Sequence, residues 1–517
     1  MSTTFIIRLR IDSDDRLINT QISLKFLLEI LKDKVILVEN GPISNYSEII
    51  KNINPDFSEN LQYIFQENHD SIFHPTKIVN SVLDKIETEI TAIYDIDVLL
   101  PIKSYREAEK MILDGFYDLI YPFRHDYFYT IEQKDKPKIN LENIQELHKK
   151  VELNKTAHKY LVGFVFYIKT EIYKKNGGEN ELFIGYGYED DERFCRFTKL
   201  GYRIGRINED VYHLEHWRGI NSWITSPNYI KNRDLFFEIR DLTLDEYKFW
   251  CLYHQRPFNP AKVVIPYLQG CLGNQLFQMA SGYGLSRKNR KIFYLNQEFA
   301  VINSHSKINY FETIFSKIPK IRNILPLKEF TEQFNGYSTY HDIKLSEDNY
   351  VLKGYFQNER YFENYRNEIL DIIKLPRMPE LCENPMFIHL RFLSENDGGH
   401  LHDIDLSKYL LTIREFLKDK LDTINFYLFS NDITAIKSRY DLNAFKNLII
   451  PENLTELETL SLMSQCHLGG ICSNSSLSWW GAYLNTNPEK IIFFPDQFLK
   501  NDWKCDIYQK GMIIVNV

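Results

Sequence analysis

A strand–helix–strand rhythm opens this chain and begins a second time after residue 260. The first instance is "TTFIIRLRIDSDD", where residues alternate from Phe5 to Ile11 with Arg8 and Arg10 on the opposite face, the period of a strand. "RLINTQISLKFLLEILKDK" follows with Leu17, Leu24, Leu27, Leu28 and Leu31 forming a helical stripe. "VILVEN" is then a short strand, ended by Gly41-Pro42. Strand, helix and strand at this spacing imply a βαβ unit and a parallel sheet. Farther on, residues 77–90 read as a helix, "AIYDIDVLLP" as the next strand, and 130–160 as a polar excursion or an exposed helical pair. Around 226–260 the pattern is aromatic and helical, and Pro257 and Pro260 mark a junction.

The second instance is "KVVIPYLQGCLGNQLFQMASGYGLSRKNRKIFYLN". Short buried-type strands recur after it at "NPMFIHLRF", "TINFYLFSND", "NLIIP", "LGGICSNSS" and "EKIIFFP". A length of 517 residues exceeds one ordinary core. The expectation is an α/β protein of two domains, 1–250 and 259–517, the second with two lobes.

Composition removes several function classes. A net charge of -8 gives no sign of a nucleic-acid groove, and 33 Tyr with 35 Phe argue against large-scale disorder. The 7 cysteines include no CxxC pair, which fits reduced thiols in a cytosolic compartment. "MSTTFIIRLRIDSDD" meets charge after three apolar residues, so a signal-peptide core is not expected. No run approaches the roughly 20 apolar residues of a membrane span. The expected location is cytoplasmic, without an integral membrane segment. Abundant Asn, Ile, Lys and Tyr suggest an AT-rich genome, such as that of a giant virus or certain bacteria; in the viral case the location is the host cytoplasm.

Two sets of residues carry chemistry. In the first, Asp95 and Asp97 flank one isoleucine at a strand's C-terminal end, where open α/β sheets place ligands. With His213 and His216 of "YHLEH" they supply oxygen and nitrogen ligands for Mg²⁺ or Mn²⁺, which would offset charge on a diphosphate leaving group. The competing readings are a solvated strand end, ordinary core or surface histidines, and a zinc ligand pair. "GYGYEDDERF" adds Glu189, Asp190, Asp191 and Glu192. These cap a helix N-terminus, or one of them takes the proton of an attacking sugar hydroxyl.

These strings, in the order "RIDSDDR", "DID", "GFVFYIKTEIYKKNGGENELFIGYGYEDDERFCRFTKLGYRI" and "VYHLEH", resemble a nucleotide-sugar glycosyltransferase of the GT-A fold, of the inverting galactosyl- and N-acetylgalactosaminyl-transferring type. The resemblance implies that Asp95 and Asp97 hold a metal–diphosphate and that Asp190 is the catalytic base. Glu189 would then orient acceptor or donor sugar, and His213, with His216 as its rival, would be the late metal ligand. Tyr186 and Tyr188 replace the family's tryptophan and second adjacent glycine.

The second set begins with "GCLGNQLFQMA", residues 270–280. It is neither a P-loop nor a dinucleotide fingerprint. Gly270 and Gly273 let a ligand approach the backbone and Asn274 and Gln275 offer donors, or the string is simply a tight turn into a helix. Together with "LKGYFQNERYFENYRNEI", "FIHLRF", "FYLFSND" and "LMSQCHLGGICSNSSLSWWGAYL" it resembles the α-1,2-fucosyltransferase family over essentially all of 262–517. That resemblance implies a GT-B-like fold, GDP-fucose as donor, inversion and no required metal. His389 and Arg391 would meet the donor diphosphate, Arg391 through its paired hydrogen bonds. Asn474, Ser475 and Ser476 would line the donor pocket and Asp432 would bind the guanosine part. Trp479 and Trp480 are either pocket wall or packing. Phe392 stands where the family has a second arginine, and the Asp–Gly order moves to Asp397–Gly398, so a carboxylate or histidine in 397–405 would have to substitute. The expected function is a bifunctional transferase using a UDP-sugar and GDP-fucose on a glycan or glycoconjugate acceptor. The alternative is a glycan-binding or scaffolding protein with one or both transferase domains inactive.

Overall fold

A computed structural model describes residues 2–219, 223–301, 304, 306–321, 327–333, 339–392, 402–500, 506–508 and 510–517. The chain divides into two compact units, Met1–Ala261 and Lys262–Val517. Both are α/β. Among the described residues, no helix is long and apolar enough to cross a membrane.

The strands of the first unit are β1 (Thr3–Leu9), β2 (Lys34–Gly41), β3 (Leu61–Glu67), β4 (Ile90–Tyr94), β5 (Val98–Leu99), β6 (Leu119–Tyr121), β7 (Tyr127–Ile131), β8 (Asn154–Ala157), β9 (Val165–Lys169), β10 (Ile204–Arg206) and β11 (Tyr212–Leu214). The larger sheet has the order β10-β6-β9-β4-β1-β2-β3. Its pairs are parallel except those of β9, which runs antiparallel to β4 and β6. Phe5, Ile6 and Ile7 are all fully buried because both faces of this sheet are covered. The smaller sheet has the order β5-β11-β7-β8.

Three expectations change here. "AIYDIDVLLP" is not one strand: β4 ends at Tyr94, the chain turns, and β5 joins the smaller sheet against β11. The Tyr94 hydroxyl donates to the Val98 carbonyl across that turn. Residues 77–90 do not form one helix either. A helix spans Pro75–Asn80, and a single 3-10 turn, Leu83–Lys85, precedes β4. Asn80 ends the helix by exchanging bonds with the Glu179 backbone, Nδ2 to O at 2.9 Å and Glu179 N to Oδ1 at 2.8 Å. Of the two readings of 130–160, the excursion stands and the helical pair does not. Two 3-10 segments, Gln133–Lys138 and Ile144–Lys149, lie between β7 and its antiparallel partner β8. The aromatic stretch near 226–260 is helical, over Tyr229–Asp241 and Leu244–Tyr253, the second opened by a capping box at Thr243 and Glu246.

The second unit carries β12 (Val263–Pro266), β13 (Ile292–Phe293), β14 (Leu327–Thr331), β15 (Asn349–Lys353), β16 (Pro385–His389), β17 (Asn425–Phe429), β18 (Leu448–Ile449), β19 (Gly469–Ile471), β20 (Ile491–Pro495) and β21 (Ile513–Val515). They form two sheets, β13-β12-β15-β14 and β18-β17-β16-β19-β20-β21. Every pair in both is parallel. The helices Leu272–Lys288 and Ser476–Leu484 meet between the sheets, and Trp479 and Trp480 are both fully buried there. Phe277 lies 4.4 Å from Trp479 between ring centroids, and Phe362 stacks on Trp480 at 5.8 Å. These tryptophans are packing, not a pocket wall. Trp480→Ala should destabilise the protein by about 3–5 kcal/mol, read as a lower urea midpoint of the corresponding transition in far-UV circular dichroism.

Candidate active site

A cavity of about 480 Å³ opens at the carboxyl ends of β1 and β4 in the first unit. Its floor is the turn that divides β4 from β5. Residues alternate by two in a strand, so Asp95 and Asp97 would share a face there, but the turn sends them to different partners. Asp95 accepts from Arg8 Nη2 at 3.0 Å, and burial pushes its carboxyl above the usual range against the pull of Arg8. Asp97 lies with its Oδ2 at 2.9 Å from His216 Nε2 and 3.7 Å from His213 Nε2.

Asp97, His213 and His216 each offer a ligand atom, and these atoms lie within 4.8 Å of one another. Histidines three apart diverge if both stand in one strand. Here β11 ends at Leu214, so the chain turns before His216 and both rings face Asp97. The donor set suits a borderline divalent ion. His216 Nδ1 lies 2.7 Å from the Trp217 carbonyl and 3.5 Å from Arg16 Nη2, while its Nε2 faces the Asp97 carboxylate. Burial lowers His213 to about 4, which keeps its ring in the ligating form. Asp95 stands outside this group of three.

The opposite wall is the loop "GYGYEDD". Gly185, Gly187 and Tyr188 all take left-handed backbone angles, φ 73, 105 and 68. A Cβ at Gly187 would lie 2.8 Å from the Tyr229 ring, so that position has no room for a side chain. Tyr188 is the N-cap of helix Glu189–Lys199, and its ring stacks on Phe236 at 5.5 Å. The four carboxylates of the first helical turn divide by function. Glu192 faces the interior and pairs with Arg196 at 3.1 Å. Glu189, Asp190 and Asp191 line the cavity. Glu189 Oε2 accepts from Gly187 N at 3.0 Å, and burial, helped by the charge of Asp190, raises its carboxyl to about 8. Asp190 Oδ1 accepts from Arg193, while Oδ2 faces Gly163, where a Cβ would come within 2.9 Å. Arg8 was noted in the sequence only for its strand face, and Arg193 and Gly163 were not singled out. An arginine inside an apolar strand and a glycine just before β9 were the available signals.

In the second unit, Gly270 has φ 78 and its Cβ would strike the Asn274 side chain at 2.6 Å. Gln275 is fully buried, and its Nε2 donates to Gly270 O at 2.7 Å, which braces this turn. A Cβ at Gly273 would lie 2.5 Å from Ser476 Oγ, so the two helix starts are in contact. Asn274 Oδ1 accepts there from Ser476 Oγ at 3.2 Å and from Gln357 Nε2 at 2.8 Å. Ser475 caps the second helix, and Asn474 Nδ2 donates to the His402 and Phe498 carbonyls at 2.7 and 3.1 Å. Asp432 caps helix Ile433–Arg439 through Ala435 N at 2.9 Å. His389 ends β16 in contact with Ser473 Oγ at 3.2 Å, and burial, then Arg391, lowers it to about 3. Arg391 is exposed just beyond. Asp397 and Gly398 lie outside the described residues, whereas Asp403 pairs with Arg439 at 2.5 Å and Asp405 accepts from Ser407.

Residues 147–218, which contain the Glu189–Asp190 loop and both histidines, match the family described as N-terminal domain of galactosyltransferase. Two curated proteins of Escherichia coli are also similar. An alpha-1,2-colitosyltransferase is 24% identical over 278 residues, covering 46% of this chain and 93% of its own. The O-antigen biosynthesis glycosyltransferase WbnK is 24% identical over 298 residues, covering 48% and 98%. The chain is a glycosyltransferase. This glycosyltransferase therefore transfers a sugar from a nucleotide-sugar donor, and the first cavity brings together the residue types that such chemistry uses.

The buried Glu189 has a pH signature. Its ordinary value is 4.5 and its folded value is about 8, so the folded state binds a proton that the unfolded state releases in between. Glu189 thus costs stability progressively as pH rises from 4.5 toward 8. Glu189→Gln should raise the melting temperature at pH 8 and leave it nearly unchanged at pH 4, measured by differential scanning fluorimetry in chelator.

Proposed function

We propose that this glycosyltransferase is bifunctional, with a metal-dependent inverting transferase in the first unit and an inverting fucosyltransferase in the second. The first uses a UDP-sugar and transfers a hexose or N-acetylhexosamine. The second uses GDP-fucose and modifies the 2-hydroxyl of a galactoside. The observation that carries the first reading is the meeting of Asp97, His213 and His216 with Glu189 and Asp190 around one cavity. Mn²⁺ or Mg²⁺ held there by Asp97, His213 and His216 would act as a Lewis acid toward the donor diphosphate. The acceptor oxygen forms the bond to the anomeric carbon, the bond from that carbon to the diphosphate oxygen breaks, and UDP leaves. Asp190 takes the hydroxyl proton on the oxygen that faces Gly163, while Arg193 fixes its other oxygen. Glu189, carrying a proton at neutral pH, is a hydrogen-bond donor to a sugar oxygen. Asp95 and Arg8 form the charged edge of the cavity toward β1.

For the second unit the support is the "GCLGNQLFQMA" and "HLR" resemblance and the contact of two helix starts at Gly273 and Ser476. Arg391 and the positive ends of those two helices suit a diphosphate without a cation. The second unit needs no metal in this reading. The acceptor is a glycan or glycoconjugate, the site of action is the cytoplasm, and the domains are 1–250 and 259–517.

Asp190→Asn should lower turnover of the first reaction by about 10²–10⁴-fold while donor and Mn²⁺ binding persist. Near-normal turnover at saturating substrate would remove Asp190 from the role of base. Excess chelator should stop UDP release and spare GDP release. Arg391→Ala should abolish GDP-fucose use and leave UDP release intact, each followed by coupled nucleotide assays and linkage analysis of the product. Unchanged fucosyl transfer would overturn the second donor site.

A further inference from the structure

The bite of His213 and His216 depends on a backbone conformation that neither residue can impose. The chain must leave β11 and turn within three residues, and the groups between the two rings need partners inside the fold. Leu214 N donates to Asp97 O at 2.7 Å and Glu215 N to Ile131 O at 2.9 Å. The two carbonyls are met from elsewhere in the chain. Asn19, fully buried in helix Asp14–Lys25, donates from Nδ2 to Leu214 O at 3.1 Å. Lys136, only 5% exposed, donates from Nζ to Glu215 O at 2.7 Å, and Gln133 Nε2 reaches the same oxygen at 3.2 Å.

A carbonyl can be satisfied by any neutral donor, and burying an ammonium group is costly. Asp15, Glu215 and Asp97 oppose that cost with their charge. The lysine stands in the 3-10 segment Gln133–Lys138 and bonds the backbone between the two histidines of the ligand cluster. We propose that Lys136, supported by Asn19 and Gln133, is a positioning residue that fixes the 213–216 turn so that both imidazoles present to one cation. This rests on the metal reading of the cluster given above.

The test uses the full-length protein with Mn²⁺ alone, titrated by electron paramagnetic resonance, and hydrogen exchange of the 211–219 segment in chelator. Lys136→Met removes the donor at similar length, and Lys136→Arg keeps a cationic donor. Lys136→Met should weaken Mn²⁺ binding about 10–100-fold, the usual effect of losing a group that orients a ligand, and should speed exchange in 214–217. Lys136→Arg should restore most of both. Asn19→Leu, the second variant, should speed exchange in the same segment even if Lys136→Met folds poorly. Unchanged exchange and unchanged affinity in a folded Lys136→Met protein would overturn the proposal. So would an affinity loss that Lys136→Arg fails to restore. If the unaltered protein binds no Mn²⁺ while Lys136→Met still loosens 214–217, the metal reading fails and the clamp on the turn stands. If it binds Mn²⁺ and neither variant changes affinity or exchange, the clamp alone fails.

Discussion

Arg193 is a guanidinium with 1% of its side chain exposed, and the site is arranged around answering its charge. Its Nη1 meets Glu179 at 3.0 Å, its Nη2 meets Asp190, and its plane lies 3.8 Å from the Phe166 ring centroid. One residue thus joins helix Glu189–Lys199, the loop at 179 and strand β9. Glu179 is itself held by the Tyr173 hydroxyl at 2.6 Å. Such a network is costly to desolvate and gives stability only when every member is paired. Its consequence is placement. With Arg193 fixed, Asp190 has one oxygen committed and one directed at the cavity, and Gly163 keeps that side clear.

The same economy of positions explains why the loop before the helix tolerates left-handed angles. A tyrosine at φ 68 is unfavourable alone. At Tyr188 the ring contacts with Tyr229 and Phe236 hold it there, and the reward is that Glu189 begins the helix facing the cavity. Strain of this kind persists only where surrounding packing over-determines it.

The rhythm of strands and helices was legible because parallel sheets make short apolar runs that glycine and proline punctuate. The strands at 3–9, 263–266, 385–389, 425–429 and 491–495 all fall inside strings read as strands from sequence. What the sequence hid were features decided by distant partners. The break between Tyr94 and Val98 exists because β11 offers β5 an edge in a second sheet, and nothing local in "YDIDVLLP" records that. The division of four consecutive acids into cavity and interior follows from Arg193 and Arg196, which stand one helical turn away. The helix expected over 77–90 stops because Asn80 binds the backbone a hundred residues later. In the second unit, Ser475 and Asp432 were read as ligand-binding, and the structure shows them capping their own helices, while Asn474 braces two distant carbonyls, those of His402 and Phe498.

A nucleotide-sugar donor sets an electrostatic problem for any site that receives it. A nucleoside diphosphate leaving group carries negative charge that must be met as the sugar departs. Carboxylates cannot meet it unaided, because they repel it. The first cavity is lined by six acids, Asp12, Asp95, Asp97, Glu189, Asp190 and Asp191, and by four arginines, Arg8, Arg10, Arg16 and Arg218. Arg8 already faces Asp95, and its charge is shared. The histidines add ligand atoms without adding net negative charge, so a divalent ion held there would bring surplus positive charge to the pocket. In the second unit, Arg391 is exposed at a strand end, His389 is neutral, and the nearby helix starts at 272 and 476 present backbone N–H groups.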